Sequence, residues 1–246
     1  MSGPLTGTKI VELAQMIAVP GATHLLATQG AQIIKVENTS GGDDLRMYGS
    51  RKNNMSGWFA NANAGKRSIG LDLSQDEAKE ILWSFIKEAD VFIEGFRPGA
   101  VARLGFSSKE ALSLNPSLIY VSSSGFGSRG PYSGRPVYDP VIQALSGWAG
   151  AQRNESKPNL IRGMVADKVA ALTTSQAITA ALLAVSPSLV DRTLRYLKQI
   201  FSQACPARRQ KADPALGGAD PALGGADPAL GGADPALGGA DPALGG

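Results

Sequence analysis

Between Ala212 and Gly246 the chain repeats Ala-Asp-Pro-Ala-Leu-Gly-Gly five times without a change. Each copy carries one Pro and two Gly, and a single Leu is all it offers a core. The seven-residue period is no coiled-coil heptad, because Pro and Gly-Gly would break a helix in every copy. Such a segment reads as a disordered tail. Folding and chemistry are therefore expected from residues 1–185, or at most from residues 1–211.

The repeat also masks the charge of the rest. The whole chain holds 24 Lys and Arg against 21 Asp and Glu. Five of those acids lie in the repeat, which has no base, so residues 1–211 hold 24 against 16, a surplus of eight positive charges. A surplus of this kind favours anionic partners, unless it is simply a well-solvated basic surface. The bases are scattered singly, apart from Arg208, Arg209 and Lys211, and no aromatic-rich basic stripe accompanies them. That argues against nucleic acid and fits a phosphorylated small molecule. Cys205 is the only cysteine, which excludes an intrachain disulfide and agrees with a reducing compartment. The N-terminus lacks a signal-peptide pattern. No apolar run reaches the ~18 residues of a membrane span, and Ala177 to Val185 is too short. These features predict a soluble, cytoplasmic chain with no membrane partner and one domain of ordinary size.

Strand patterns alternate with helix patterns. Lys9–Ala14, Gln32–Glu37, Ser68–Leu73, Asp90–Glu94 and Leu118–Ser123 read as strands. Pro20 is expected to open a helix that runs through His24 and Leu26 and is closed by Gly30. Capping boxes at Ser74–Glu77 and Ser107–Glu110 predict two more helices, the first with Ala78, Ile81, Leu82, Phe85 and Ile86 on one face. Asp139-Pro140 reads as N-cap plus first helical residue of a helix through Trp148. Asp167 reads as the N-cap of a helix from Lys168 to about Val185. Five strands separated by helices predict an α/β fold: an open, doubly wound, mostly parallel sheet of Rossmann-like type. Ligands in such sheets bind beyond the carboxyl ends of the strands, so the loops after Ala14, Glu37, Glu94 and Ser124 are the places to look.

Several motif readings fall away. Gly125-Phe-Gly127-Ser-Arg-Gly130 matches the dinucleotide fingerprint and follows a strand, but Pro131, Gly134 and Pro136 replace the helix that must meet the pyrophosphate. One histidine, His24, and one cysteine cannot build a His/Cys metal site, so no metal is expected. No Gly-x-Ser-x-Gly elbow accompanies His24, which weakens a hydrolase triad. Asp167 stands out among the carboxylates. At a helix start it would be held ionised by the dipole and the free amides, and an ionised, positioned carboxylate can act as a covalent nucleophile.

Eight segments, in order, then resemble one family. They are Leu5-Thr-Gly-Thr-Lys-Ile-Val-Glu-Leu, Gly30-Ala-Gln-Ile-Ile-Lys-Val-Glu with Gly41-Gly-Asp-Asp, Asn63-Ala-Gly-Lys-Arg-Ser-Ile-Gly-Leu-Asp-Leu, Ala89-Asp-Val-Phe-Ile-Glu-Gly-Phe-Arg-Pro-Gly, Arg103-Leu-Gly-Phe, Asn115-Pro-Ser-Leu-Ile-Tyr, Ser124-Gly-Phe-Gly and Tyr138-Asp. Over about residues 4 to 185 the chain resembles the class III coenzyme A transferases, a group related to α-methylacyl-CoA racemases.

The resemblance implies specific roles. Asp167 falls at the nucleophile position. Ile17 and Ala18 match backbone positions lining the CoA site, Leu71 and Asp72 the segment beside adenine and ribose, and Gly95, Phe96 and Arg97 the turn over the nucleotide. Arg103 matches an arginine on CoA phosphate, and Tyr138 a residue near the thioester. Guanidinium groups suit phosphate by their fork of donors and permanent charge. The racemase branch has a histidine where Tyr138 stands, and tyrosine does not shuttle protons near neutral pH as imidazole does. Transfer of CoA between carboxylic acids is therefore favoured over racemisation, with acyl-CoA and a carboxylic acid as substrates and no permanently bound cofactor. Asn38 replaces an arginine that reaches CoA in some relatives.

Members of the family are longer, and the remainder would supply a second domain and a loop over the active site. They also interlock as dimers, which implies a homodimer here. The expected organisation is an incomplete CoA-binding domain over residues 1–185, a basic helix-prone segment of unrelated character over 186–211, and the repeats over 212–246. Impaired turnover, or CoA binding without catalysis, follows as an expectation.

Overall fold

The computed structural model of the protein describes residues 3–53 and 55–185. The segment 186–211, with Cys205, and the repeats 212–246 lie outside the described residues. Strands β1 (Lys9–Leu13) and β2 (Gln32–Glu37) are followed by a two-stranded antiparallel ladder, β3 (Arg51–Lys52) with β4 (Met55–Ser56). Strands β5 (Arg67–Gly70), β6 (Val91–Glu94) and β7 (Ile119–Ser122) complete the set. The helices are α1 (Ala18–Thr28), α2 (Gly57–Asn63), α3 (Asp76–Glu88), α4 (Ala100–Arg103), α5 (Ser108–Leu114), α6 (Asp139–Leu145), α7 (Trp148–Ala151) and α8 (Val165–Val185).

Five strands form one sheet in the order β5-β2-β1-β6-β7, and every pairing in it is parallel. Both faces are covered, so the inner strands are near-continuous apolar runs rather than alternating ones. Val11, Leu13, Val36 and Phe92 pack toward Leu82 and Ile86 of α3 and toward Phe106. Ile10, Ile33, Val91 and Ile93 pack the other way, toward Val19 and Leu26 of α1 and Ile178 and Leu182 of α8. Each fully buried side chain of this kind stabilises by about 1.5–3 kcal/mol. The fold is the expected α/β doubly wound sheet. From β1 the sheet grows outward in both directions, so the strand order reverses between β1 and β6, the place where sheets of this kind bind ligands.

The local signals succeed unevenly. Helix α1 begins at Ala18, so Pro20 sits inside its first turn, where a missing N–H costs nothing. Gly30, at φ +97°, ends it. The capping box at Ser107 is complete, with Glu110 returning the bond. The box expected at Ser74 does not form. Asp72 Oδ1 accepts from both the amide and the hydroxyl of Ser74, so α3 starts from an uncapped Gln75. Asx turns compete with caps in this way. Ala78, Leu82 and Ile86 are buried as the periodicity predicts, whereas Ile81 faces solvent. The expected strand over Ser68–Leu73 shortens to β5. The helix expected through Trp148 breaks at Gly147, at φ +85°, into α6 and α7.

Helix α8 is longer than its apolar stretch suggests. Its 21 residues are apolar enough to cross a membrane by length and composition, with mean hydropathy 1.4 in the relevant window, but one face lies against α1 and the sheet through Ala171, Ile178 and Leu182. The two helices run the same way. A side-chain carbon placed on Gly21 would stand 3.1 Å from Cβ of Ala171, while further along Gln29 lines one groove with Thr179 and Leu183. This parallel packing brings the starts of α1 and α8 to the carboxyl edge of the sheet.

Candidate active site

The carboxyl edge gathers most of the residues singled out in the sequence. Ile17 and Ala18 follow β1 at the start of α1, both half-buried. Leu71 follows β5, is buried, and donates its amide to Glu37 O at 2.8 Å. Asp72 beside it is exposed, and its bonds to Ser74 hold its carboxyl below the ordinary value. Gly95 and Phe96 follow β6. Gly95 N donates to Leu13 O, and Phe96 N donates to Glu94 Oε2 at 2.9 Å, so the turn is tied to both strands. Burial pushes the Glu94 carboxyl up despite those bonds and one from Ser122 Oγ. Arg97 and Arg103 are exposed, and the Arg103 guanidinium lies over the turn at Gly99. Tyr138 is 70% exposed, at the end of the loop over 123–138. Within that loop Gly125, Gly127 and Gly130 are followed by turns, with no helix before Asp139.

A groove of about 420 Å³ opens beside β2 and β5, lined by Asn38, Thr39, Gly42, Arg46, Ser68 and Gly70 among others. Asn38 shapes this loop rather than reaching across it: its Oδ1 accepts from Ser40 and Gly42 amides, and its Nδ2 donates to Gly42 O. Arg46 is held by Glu37 through two bonds of 2.8 Å and stacks over Phe59, with 3.7 Å to the ring centroid. Burial opposes ionisation of Glu37, but Arg46, Ser68 and the Asp43 amide lower its carboxyl to about 2.

Behind this edge lies a buried charge cluster that the strand patterns concealed. Lys35 Nζ donates to Glu12 Oε1 at 2.7 Å and to Ala14 O at 2.8 Å, and lies 2.9 Å from Asp43 Oδ2. Lys66 Nζ donates to Glu12 Oε2, Pro20 O and Asn63 Oδ1. Thr23 Oγ1 adds a bond to Glu12. Asp43 Oδ1 accepts from the amides of Met16 and Leu45. Two carboxylates thus face two ammonium groups, all four side chains shut from solvent. Burial alone would raise the Glu12 carboxyl, yet the facing lysines hold it below its ordinary value. Burial would likewise lower Lys35, and Glu12 with Asp43 outweighs it. For Lys66 burial wins over Glu12, leaving it at about 8. A signal was present: Glu12 and Lys35 share the strand face of the buried Ile10 and Ile33, and a charge there demands a partner.

The start of α8 differs from its sequence reading in three respects. Asp167 is not the N-cap but the third residue of the helix. Asp139 does not cap its own helix, since Tyr138 holds that place and Asp139 is the first residue inside α6. The Asp139 carboxylate instead crosses to α8, where its Oδ2 accepts from Ala166 N at 2.7 Å and Asp167 N at 3.1 Å. Gln143, also buried, donates to Asp139 Oδ1 and to Ile161 O, and accepts from Ile161 N at 2.8 Å. Asp167 is consequently not held ionised by free amides. Burial first, and the charge of Asp139 second, push its carboxyl up from 3.8 to about 6. It is a half-buried, comparatively basic carboxylate at the start of α8. At neutral pH it is ionised and poorly solvated, a state suited to attack on a carbonyl carbon. His24 takes no part, its Nδ1 lying 3.0 Å from Ala64 O. Among the described residues no group of three or more His, Cys, Asp or Glu could hold a metal ion.

A sequence profile described as CoA-transferase family III matches residues 5–222. The chain belongs to CoA-transferase family III. Acetyl-CoA:oxalate CoA-transferase of Acetobacter aceti is 42% identical to this family III chain over 145 residues, which are 59% of the chain and 37% of that protein. Succinate–glutarate CoA-transferase of Agrobacterium fabrum is 37% identical over 188 residues, 73% of the chain and 47% of that protein. The chain thus spans less than half the length of these two curated relatives. Among solved structures, a CAIB/BAIF family protein from Brucella suis aligns with a TM-score of 0.72 at 32% identity, covering 84% of this chain and 59% of that one.

Proposed function

We propose that this chain carries the CoA-binding, nucleophile-bearing part of an enzyme that moves coenzyme A between carboxylic acids. One observation carries the reading: Asp167 is a half-buried carboxylate raised to about 6, on the sheet edge that also holds Ile17, Ala18, Leu71, Asp72, Gly95 and Phe96. In this reading those residues line the CoA, and Arg97 and Arg103 meet its phosphates. Tyr138 stands near the thioester.

The chemistry needs only acyl-CoA and a second acid. A carboxylate oxygen of Asp167 attacks the thioester carbonyl, the carbon–sulfur bond breaks, and a mixed anhydride and CoA thiolate result. The thiolate attacks the aspartyl carbonyl, releasing the first acid and leaving an aspartyl-CoA thioester. An incoming carboxylate attacks that thioester, freeing the thiolate again and forming a new anhydride. The thiolate then takes the new acyl group and restores Asp167. Four accessible acyl transfers replace one difficult exchange.

The test is trapping. The purified chain is incubated with an acyl-CoA, quenched with hydroxylamine and mapped by mass spectrometry. A hydroxamate on Asp167, absent from Asp167→Ala, is the expected result. A labelled residue elsewhere, or equal labelling in both proteins, overturns the assignment. Because the chain spans less than half of its curated relatives, we further propose that CoA binding and acylation outlast multiple turnover. Turnover at the steady state that matches the single-turnover rate would refute this. Sizing chromatography tests the proposed homodimer.

A further inference from the structure

Asp139 is 5% exposed, lies next to the residue that separates the transferase pattern from the racemase pattern, and spends its carboxylate on a different helix from its own. Gln143 is 1% exposed and clamps both Asp139 and Ile161. The pair therefore fixes the segment from Ile161 to Asp167 from one buried point. The consequence for Asp167 is chemical as well as spatial. Amides in the first turn of a helix are the natural donors to a carboxylate there. Two of them are already occupied.

We propose that Asp139 is a positioning residue for Asp167, holding the amides of Ala166 and Asp167 so that the nucleophile's backbone is anchored while its side chain is denied those donors. This rests on the reading of Asp167 as nucleophile. Among the described residues no cation offsets the arrangement. Of the titratable groups on elements packed around Asp167, only Asp139 on α6 faces it. The sole such side chain on α1 is His24, turned to Ala64 O, Tyr120 on β7 is turned to Phe106 O, and Lys168 reaches back over Gly163. A carboxylate left without strong donors and beside a like charge is less stabilised as an anion, hence a stronger base and nucleophile once ionised. Asp139 would trade ease of ionisation for reactivity.

The experiment follows the Asp167 Cγ resonance of the full chain by carbon-13 NMR from pH 4 to 8, in wild type and Asp139→Asn. The wild-type midpoint is expected near 6. In D139N, which keeps an acceptor oxygen but no charge, the midpoint moves to lower pH, and the acid limb of single-turnover acylation moves with it. An unmoved or higher midpoint overturns the proposal. Should D139N fail to fold, amide hydrogen exchange in the wild-type chain decides: protected Ala166 and Asp167 amides support the anchor, and unprotected ones overturn it. The outcomes separate the two readings. If the midpoint moves but acyl-CoA labels another residue, the nucleophile reading falls and the hold of Asp139 on Asp167 stands. If Asp167 is labelled at an unchanged rate and pH profile in D139N, the positioning role falls alone.

Discussion

Two groups of buried charge lie within the same sheet edge and are resolved in opposite ways. Behind β1 and β2, Glu12 and Asp43 meet Lys35 and Lys66, and each charge faces an opposite one, although Asp43 Oδ2 has only the ion pair with Lys35 at 2.9 Å and no well-aligned hydrogen bond. At the start of α8, Asp139 meets Asp167, and among the described residues no cation lies between them. The first arrangement is architecture. It ties α1, β1, β2 and the loop before β5 into one block and has no charge left to spend on a substrate. The second leaves a charge unbalanced at the point where a reaction could use it. Matched burial makes a scaffold, and mismatched burial makes a reagent.

The sharpest way to break the comparison is Asp167→Asn. Acylation should fall by at least about a thousand-fold, because the carboxylate beside it, Asp139, is buried and committed to the amides of Ala166 and Asp167. Stability should move the other way. The folded chain keeps the Asp167 proton up to about pH 6, whereas the ordinary value is 3.8. Ionised Asp167 therefore subtracts stability, a loss absent below pH 3.8 and complete above about pH 6. Urea midpoints of D167N and wild type should coincide near pH 4, with the variant the more resistant at pH 7. The same midpoint at both pH values would mean that the α8 pair is as well matched as the buried cluster.

Next in size is Lys35→Met. It leaves Glu12 and Asp43 buried with a single ammonium, and chemical denaturation should show a loss of about 3–5 kcal/mol. A loss under about 1 kcal/mol would show the cluster to be solvated and the contrast unfounded. Gln143→Leu comes third, at about 1–3 kcal/mol, since it strands Asp139 Oδ1 and both backbone groups of Ile161. Ser107→Ala removes a cap that belongs to neither region. It should cost about 1 kcal/mol in the same denaturation series and leave acylation untouched.

What the sequence makes legible is what local chemistry decides. Strands β1, β2, β6 and β7 lie where their apolar runs stand, and the Ser107 box forms because its two partners are three residues apart with no nearer competitor. Ser74 had a competitor two residues back, in Asp72, and lost its cap to it. Asp139 is the larger miss. Asp-Pro before an apolar run reads as a cap for the helix at hand, and nothing in that pattern reveals acceptors committed 27 residues downstream. The position of Asp167 at the start of an apolar helix was thus foreseeable, and its protonation behaviour was not. The site residues divide in the same way. Ile17, Ala18, Leu71, Asp72, Gly95 and Phe96 come together because each follows a parallel strand, while Tyr138 and Arg97, on more open stretches, face solvent.

The contact of Gly21 with Ala171 gives this edge a peculiar mechanical fragility. The Asp167 carboxylate rides one turn above the place where two helices touch almost skin to skin. A single methyl inserted there would meet Ala171 Cβ at 3.1 Å and ask α8 to give way by a few tenths of an ångström, one turn from the acid. Precision at the chemistry would thus depend on the smallest residue in the repertoire, sited away from the reacting atoms.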